Sequence, residues 1–537
     1  MIFAGLFEAA KRHFFRLQSW FASRCRSDST RPQPWHAYAW TLYMVATVRV
    51  AWMCDDAYIG LRPVANMLQG YGLVSNPGER VQAFTSPLWT LLTIPLQAIS
   101  HEVYFSTMLL SLVVSGCAGW ILIHSAKRPV DAMCVGLVLS FSRSVTDYST
   151  SGLENPLIHL MVVIVLVLYR RASAVPRATF WLFFCSALLI LTRFDSVLLV
   201  LPPLAHHLLC NRSSKHLRNA LLGLTPLALW ILFSFVYYGF PLPNTAYAKL
   251  NLHVPRRLLF AQGFAYLLDS VQRDPLTLLT IVGSFVACVV GTWSRATVVM
   301  LGPLLHLAYV ITVGGDFMTG RFFSTAVFVA LFAMANWLLK EFMPFHVLAL
   351  GAVAAVVVIT VPHSPFGIHQ ESEDIPPNGI ADERGWYQGY TGLWRNVRNT
   401  DNRWGYRNHP FWRRGVEMLA SGEKVIVDQR LGLAGVAAGP TVHILDDAGL
   451  TDALLARIPT LRSATRWRIG HFYRAIPDGY VDTLKSGTNR IADPCIRQYY
   501  DKLAIVIRGP IFSWTRFKTI AALNWGTYDH LLNPGCQ

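Results

Sequence analysis

Residues 39–60 read AWTLYMVATVRVAWMCDDAYIG, a nearly continuous apolar run that stops at two adjacent aspartates, Asp55 and Asp56. Apolar runs of about 15–22 residues have the length needed to cross a hydrocarbon core about 30 Å thick. Backbone groups have no water to bond inside a bilayer, so such a run must be helical there. The stretch therefore predicts a membrane-spanning helix near 36–54, which delivers two carboxylates to one membrane surface.

Similar apolar runs recur through the first two thirds of the chain. We predict further spans near 103–126, 131–148, 156–170, 178–192, 195–210, 219–239, 276–294, 297–313, 320–340 and 344–362. The composition agrees, because 53% of the 537 residues are hydrophobic and only 15% are charged, against about 25% charged in an ordinary soluble domain. The fold class is an all-α polytopic membrane domain with about eleven spans.

The charge distribution gives the orientation. Lys and Arg number 47 against 31 Asp and Glu, a net charge of +16. Basic clusters fall in the loops that the span count places on the cytoplasmic side, as the positive-inside rule requires. This agreement requires that the apolar run 86–100 lies flat at the outer interface and does not cross the membrane. The excess is thus explained by topology, and we expect no nucleic-acid partner. Residues 1–35 form a basic cytoplasmic N-terminus, 36–362 the transmembrane domain and 363–537 an extracytoplasmic domain.

The C-terminal segment has the pattern of a small mixed α/β domain. Val425–Asp428 and Val442–Leu445 resemble short buried strands, while Gly432–Gly439 is rich in Gly and Ala and reads as a loop. Cys495 and Cys536 are the cysteines of this segment and are candidates for a disulfide in an oxidising compartment. The cysteine spacing does not indicate a zinc site.

Most of the distinctive polar residues fall on the outer side. Asp55 and Asp56 offer a general base or an oxygen cluster for a divalent cation; a solvated helix end is the alternative. Glu154, Asp195 and Asp316 each follow or precede an apolar span. A helix-start carboxylate would explain Glu154, and an ion pair with Arg193 would explain Asp195.

Cations accompany these carboxylates. Lys249, in the long outer loop 237–275, departs from the positive-inside pattern and calls for an anionic partner such as a phosphate; an ordinary lipid headgroup is the alternative. Arg193 and Arg321 lie on the same side, and guanidinium groups suit bidentate phosphate contacts. Carboxylates and cations at one membrane face are what a transferase acting on a lipid phosphate needs.

Several short motifs occur in a specific order along the chain. They are Asp55-Asp56-Ala57-Tyr58-Ile59, Ser151-Gly152-Leu153-Glu154, Thr192-Arg193-Phe194-Asp195, Pro241-Leu242-Pro243-Asn244-Thr245 with Lys249, Gly314-Gly315-Asp316-Phe317 with Arg321, Asp447-Ala448-Gly449-Leu450-Thr451-Asp452, and Gly470-His471-Phe472. In these motifs the chain resembles the GT-C class of membrane glycosyltransferases, which take sugars from polyprenyl-phosphate carriers. It is most similar to the cell-wall arabinofuranosyltransferases that use decaprenyl-phosphoryl-arabinofuranose.

The resemblance implies a fold and a set of roles. Two flat juxtamembrane helices would follow the first span, and Asp55 or Asp56 would be the general base, with Asp55 preferred because it opens the motif. The donor phosphate would be held by cations and polar groups of the outer loops, and the sugar by nearby supporting residues. The implied phosphate ligands are Lys249, Arg193, Arg321, Asn244 and Tyr247, and the implied supporting residues are Glu154, Asp195, Asp316, Tyr58 and His471.

The implied function is transfer of a sugar, D-arabinofuranose by the closest likeness, from a polyprenyl-phosphate donor to a hydroxyl of an extracytoplasmic acceptor. The acceptor would be a glycan, a lipid or a protein such as a pilin, and the enzyme would lie in a bacterial inner membrane. A divalent cation bound by Asp55 and Asp56 is left open. The alternatives are a flippase of lipid-linked sugars, a GT-C transferase of mannose or aminoarabinose, and a non-catalytic assembly subunit.

Overall fold

The computed structural model describes residues 34–172, 175–250, 254–291, 294–339, 375–398, 405–461 and 468–532, together with residues 351 and 356. The described chain is mostly helical. Up to residue 339 its α-helices are Pro34–Arg49, Asp55–Leu68, Pro87–Ser100, Tyr104–Ser125, Pro129–Phe141, Arg143–Tyr148, Asn155–Arg171, Pro176–Thr192, Val197–Cys210, Ser214–Gly223, Thr225–Tyr237, Asn244–Leu250, Arg256–Arg273, Pro275–Val290, Arg295–Thr312 and Phe323–Ala333.

Helices coincide with every predicted span up to residue 338, and many of them begin at proline, whose fixed φ suits the first helical position. Two helices, Tyr104–Ser125 and Arg295–Thr312, are individually long and apolar enough to cross a membrane, and the count reaches four if each of two bent helix pairs is one span. Four others are apolar but shorter. The predicted number of eleven therefore stays a prediction, and the predicted span 344–362 falls almost wholly outside the described residues.

Several predicted spans are interrupted. The run 131–148 is two helices that meet at Ser142, whose hydroxyl accepts the backbone N–H of Val145 and so starts a new helix. The run 219–239 crosses a bend of 45° at Leu224, between the helices Ser214–Gly223 and Thr225–Tyr237. These breaks were not predicted, because hydropathy averages over a kink and does not register a capping hydroxyl.

One predicted loop is helical, and another connection between predicted spans contains helices. The loop 237–275 contains the helices Asn244–Leu250 and Arg256–Arg273, of which the second mixes charged and apolar residues and so lacks the hydropathy of a span. The loop Gly432–Gly439 contains the helix Leu433–Ala438. Gly432 and Gly439 flank the helix and Gly435 lies within it. The start of the helix is stabilised by a side chain from a distant part of the sequence, described below.

The central element is the Phe323–Ala333 helix. All eleven of its residues are buried, and a helix that is apolar on every side is stable only inside a core. It packs against Asn155–Arg171, Pro275–Val290 and Arg295–Thr312. The second predicted flat helix is the Pro87–Ser100 helix, which contacts Asp55–Leu68.

The C-terminal part contains further helices and two short strands. Its helices are Glu383–Thr391, Leu393–Arg398, Pro410–Ala420, Leu433–Ala438, Tyr480–Ser486, Pro494–Arg508 and Trp514–Asn524. The predicted strands are confirmed as β1 (Val425–Val427) and β2 (His443–Leu445), which pair in parallel with Val425 opposite His443. Cys495 is disulfide-bonded, the other described cysteines are free, and Cys536 lies outside the described residues.

The C-terminal part packs directly on the segment that carries the two aspartates. The Thr391 hydroxyl donates to the carbonyl oxygen of Met53, and the backbone N–H of Leu393 donates to the carbonyl oxygen of Ala51 over 2.9 Å. Trp52 stacks on Tyr387 with ring centroids 6.3 Å apart. The end of the first predicted span is thus buried under the tail, which fixes where Asp55 and Asp56 lie.

Candidate active site

Asp55 anchors a tail helix. The carboxylate is buried, and Oδ1 accepts the backbone N–H of Leu433 over 2.7 Å at the start of the Leu433–Ala438 helix. At the other end of this helix, the Arg62 guanidinium donates from Nη2 to the carbonyl oxygen of Val442 over 2.7 Å. Arg62 lies about two turns after Asp55 on the Asp55–Leu68 helix. A carboxylate at the N-terminus and a guanidinium beyond the C-terminus both complement the helix dipole.

The contact between the two helices requires glycine at position 432. A Cβ there would lie 2.0 Å from the backbone oxygen of Asp55 and 2.6 Å from its Cγ, so no side chain fits without moving the backbone. Burial raises the pKa of Asp55 to about 7, while the N–H of Leu433 opposes the rise. Asp55 is therefore occupied in holding the tail.

Asp56 faces a different environment. It follows Asp55 on the same helix and is only half-buried, and it accepts no hydrogen bond from any described residue. Burial raises its pKa, opposed first by Arg321 and then by Arg468 and Lys249. A carboxylate close to three cations, but bound by none of them, is available to a substrate. This placement favours Asp56 over Asp55 as the base, the reverse of the preference drawn from the sequence.

Glu154 joins two of the predicted phosphate ligands. Its Oε1 lies 3.3 Å from Nη1 of Arg193 and 3.2 Å from Nη2 of Arg321. Glu154 precedes the Asn155–Arg171 helix, where the helix dipole favours a carboxylate, and it makes no capping hydrogen bond. Arg193 also pairs with Asp195 over 2.7 Å and lies over the Phe322 ring at 4.3 Å. These contacts hold both guanidinium groups beside one another.

Asp316 belongs to the same cluster because of the turn before it. Gly314 and Gly315 both have positive φ, 86° and 73°, and a Cβ on Gly315 would lie 2.6 Å from the Tyr266 ring. The turn directs Asp316 Oδ2 to within 3.4 Å of Nη1 of Arg321, while Oδ1 accepts the N–H of Phe317. Asp316 thereby orients Arg321 from the side opposite Glu154.

Lys249 completes the group of cations. Its helix, Asn244–Leu250, carries it to a solvent-accessible position, and it forms no ion pair within the described residues. The protein atoms that surround the ammonium lower its pKa, although the side chain remains accessible to solvent, and the nearby charges that act on it are Asp316, Arg321, Arg193 and Asp56. Three cations from three chain segments thus converge, and one of them is uncompensated, as an anion-binding site requires.

His471 lies on the tail side of this cluster. Its ring meets the Phe317 ring edge-on, with centroids 4.5 Å apart, and Nδ1 lies 3.4 Å from the carbonyl oxygen of Ile469. Burial lowers its pKa to about 3, helped by the positive charges of Arg468 and Lys249. His471 is therefore a neutral imidazole at physiological pH and can exchange hydrogen bonds without adding charge.

Two charged residues of the site were missed by the sequence reasoning. Glu383 Oε1 accepts from Nη2 of Arg468 over 2.9 Å, and Arg468 lies over the Phe317 ring at 4.4 Å. Burial raises the pKa of Glu383 to about 8, Arg468 opposes this, and Asp56 and Asp316 add to it. Arg468 stands two residues before the Gly470-His471 motif, which could have indicated it, whereas Glu383 has no distinguishing signal in the sequence.

Three predicted site residues lie elsewhere. Asn244 Nδ2 donates to the carbonyl oxygens of Gly449, Leu450 and Asp452, so its amide holds a tail loop and has no donor left for a phosphate. Tyr247 packs on Phe240 and Arg457. Tyr58 is wholly buried and stacks on Tyr406. The structure does not bring these three side chains to the charged cluster.

A divalent cation held by Asp55 and Asp56 stays a prediction. Asp55 accepts the N–H of Leu433, whereas Asp56 accepts no hydrogen bond from a described residue, and the surroundings of Asp56 are already rich in positive charge. Among the described residues, one set of three His, Cys, Asp or Glu side chains has ligand atoms close enough to share a metal ion, and that set does not include the pair. We therefore assign no metal-dependent step to these aspartates.

A narrow cleft of about 10 Å³ adjoins the paired guanidinium groups. Its lining includes Arg193, Arg321, Phe322, His306 and Asp195. Apolar and cationic groups thus border the same space.

The chain is similar to two curated proteins. It is 24% identical to the terminal beta-(1->2)-arabinofuranosyltransferase of Mycobacterium tuberculosis over 524 residues, 80% of this chain and 82% of that protein. It is 30% identical to the protein of the same name from Corynebacterium glutamicum over 336 residues, 52% of this chain and 47% of that protein. The resemblance to arabinofuranosyltransferases is confirmed. These homologues are glycosyltransferases, so the flippase alternative is not favoured. No family model and no solved structure matches the chain.

Proposed function

We propose that the protein transfers D-arabinofuranose from a polyprenyl-phosphate donor to a hydroxyl of an extracytoplasmic glycan, lipid or protein. The observation that carries the proposal is that Asp56 accepts no hydrogen bond from a described residue and Lys249 forms no ion pair with one, while the Glu154 carboxylate holds Arg193 and Arg321 together. Asp56 and Lys249 each lie within electrostatic range of the other and of Arg321. A free carboxylate and a free cation beside two oriented guanidinium groups are what a phosphate leaving group and an attacking hydroxyl need. The named homologues support the choice of sugar.

In this mechanism Asp56 is the general base. It accepts the proton of the acceptor hydroxyl as that oxygen attacks the anomeric carbon, while the bond from that carbon to the phosphate oxygen breaks. Negative charge develops on the departing phosphate. Lys249, Arg193 and Arg321 stabilise it, because cations already in place need no reorganisation as the charge appears.

The carboxylates around the cations have a positioning role. Glu154, Asp195 and Asp316 hold the two guanidinium groups through direct ion pairs, which fixes their orientation before the donor arrives. His471 and Glu383 border the tail side, where the proposal places the sugar. The raised pKa of Glu383 leaves a protonated carboxyl there at neutral pH, which can donate a hydrogen bond to a sugar oxygen.

The remaining assignments follow from the same proposal. The helical region 36–362 is the transmembrane GT-C domain with about eleven spans, the 363–537 region is an extracytoplasmic domain that covers the site, and residues 1–35 are cytoplasmic. The protein lies in a bacterial inner membrane, because a polyprenyl-linked donor is a membrane lipid. No divalent cation is assigned to the transfer.

The test is transfer in detergent from a synthetic radiolabelled polyprenyl-phosphoryl-arabinofuranose to arabinofuranosyl oligosaccharides. Mannosyl and aminoarabinosyl donors are assayed in parallel, with Asp56→Asn as the inactive control. We expect labelled product from the arabinofuranosyl donor alone. Product from the mannosyl or aminoarabinosyl donor alone would refute the assignment of arabinofuranose as the sugar. Donor binding without transfer to any lipid, glycan or peptide acceptor would refute the assignment of transferase activity.

A further inference from the structure

A second cluster of ligand-type side chains lies where the tail meets the loop between the Asp55–Leu68 and Pro87–Ser100 helices. Glu79, His443 and Asp452 each offer one ligand atom, and these three atoms lie within 4.8 Å of one another. Glu79 is 3% exposed and Asp452 1% exposed. Exposed acidic groups often gather without binding anything, but two buried carboxylates beside an imidazole are costly unless something compensates them.

Protein groups compensate this cluster only in part. Arg508 Nη2 lies 2.6 Å from Oε1 of Glu79 and supplies one positive charge. Asp452 is met by neutral donors, the Tyr480 hydroxyl and the backbone N–H of Leu455, each over 2.7 Å. Two carboxylates therefore face one guanidinium, which leaves room for a further positive charge.

Two buried polar atoms at the cluster have no partner. Nε2 of His443 and the hydroxyl of Tyr500 make no hydrogen bond in the described structure. Tyr500 is 3% exposed, and its hydroxyl is close enough to interact electrostatically with both Glu79 and Asp452. Because buried polar atoms in native proteins are nearly always satisfied, a nitrogen and an oxygen left free at one place indicate a ligand between them.

We propose that Glu79, His443 and Asp452 bind a divalent cation of the zinc class, with the Tyr500 hydroxyl or a water as a further ligand. One imidazole nitrogen and two carboxylate oxygens form a donor set that zinc accepts. Bonds of about 2.0–2.1 Å in a tetrahedral site place ligand atoms about 3.3 Å apart. Side-chain movements of about 1 Å would bring the three atoms from their present separation to that geometry.

The cation would clamp the 69–86 loop to the tail. That loop already extends the edge of strand β2, because the amide of Asn76 pairs with both the N–H and the carbonyl oxygen of Ile444. Its next turn donates the N–H of Arg80 to the carbonyl oxygen of Ile507 over 2.9 Å. A metal joining Glu79 to β2 would fasten the loop between these two contacts, and the proposal does not depend on the sugar chemistry.

The test uses full-length protein in detergent, stripped with EDTA and titrated with ZnCl2. Metal content is measured by mass spectrometry and stability by the unfolding midpoint. We expect about one tightly bound zinc per chain and a midpoint about 2–5 °C higher with zinc than without. His443→Asn should lose both effects, while His530→Asn, which removes an exposed tail histidine, should keep them.

Three results would overturn the proposal. The first is that EDTA-stripped wild-type protein takes up no zinc and shows no change in its unfolding midpoint. The second is that the His443→Asn protein binds zinc as the wild type does. The third is that acidification raises the unfolding midpoint, zinc does not raise it, and Glu79→Gln stabilises the metal-free protein. That combination would mean that Glu79 and Asp452 share a proton and not a metal ion. If Glu79→Gln does not fold, the zinc titrations of wild type and His443→Asn still decide.

Discussion

The two adjacent aspartates should differ sharply when each is replaced by asparagine. Asp56→Asn removes the proposed base but leaves the cations in place, so kcat should fall by about 10²–10⁴, which is about 2.7–5.4 kcal/mol of activation free energy. Donor affinity should hold or improve, because a negative charge beside the phosphate is gone. The unfolding midpoint should change little, since Asp56 accepts no hydrogen bond from a described residue.

Asp55 should show the opposite pattern. Asp55→Asn keeps an oxygen opposite the N–H of Leu433, which lies 2.7 Å away, so kcat should stay within about tenfold of wild type. Asp55→Ala leaves that N–H without an acceptor in a buried place, which costs about 1–2 kcal/mol in the free energy of unfolding.

The assay measures donor Kd, kcat and the unfolding midpoint on the same purified variants. Asp55→Asn and Asp56→Asn differ by one position and carry the same charge change, so each is the control for the other. A kcat lost in Asp55→Asn at an unchanged midpoint, with Asp56→Asn still active, would refute the assignment and make Asp55 the base.

Three further predictions each concern one residue. Gly432→Ala should lower the unfolding midpoint because its Cβ would meet the backbone oxygen of Asp55 at 2.0 Å. Gly283→Ala should leave the midpoint unchanged because open space surrounds that position. Equal midpoints of the two variants would contradict this prediction. Asn244→Ala should cost about 1–3 kcal/mol in the free energy of unfolding, because three carbonyl oxygens lose their amide donor. Denaturant titration measures this cost. Unchanged stability would contradict the structural role of Asn244 and restore it as a candidate phosphate ligand. Burial raises the pKa of Glu383 to about 8, so the folded protein binds this proton more tightly than the unfolded chain does. The resulting contribution to the free energy of unfolding is full below about pH 4.5 and is lost as pH rises to 8. Glu383→Gln should flatten the fall of the unfolding midpoint over that range, and an unchanged slope would contradict this prediction.

The sequence predicts the helical framework well because apolar runs are a local signal. Each run up to residue 338 coincides with helix, and the two predicted tail strands form and pair in parallel, although β1 is buried only at Val425. The helix at Leu433–Ala438 was missed because its N-terminus is stabilised by Asp55, 378 positions away. No property of residues 432–439 alone carries that information.

The same reason explains the uneven prediction of the site. Arg193, Arg321, Glu154 and Asp316 fall together because each ends or begins an apolar helix at one face, which periodicity can indicate. Asn244 has the residue type of a phosphate ligand, yet its amide is used by the tail loop. Only the docking of the tail decides which polar residues of these loops remain free.

The central claim is that Asp56 and Lys249 serve one donor in different ways, and parallel measurement of donor affinity and turnover tests it most directly. For Asp56→Asn we predict labelled donor bound as by wild type with turnover nearly abolished. For Lys249→Met we predict a donor Kd raised about 10- to 100-fold, the loss of one charge-assisted contact to phosphate. Wild-type affinity in Lys249→Met, together with wild-type turnover in Asp56→Asn, would contradict the account.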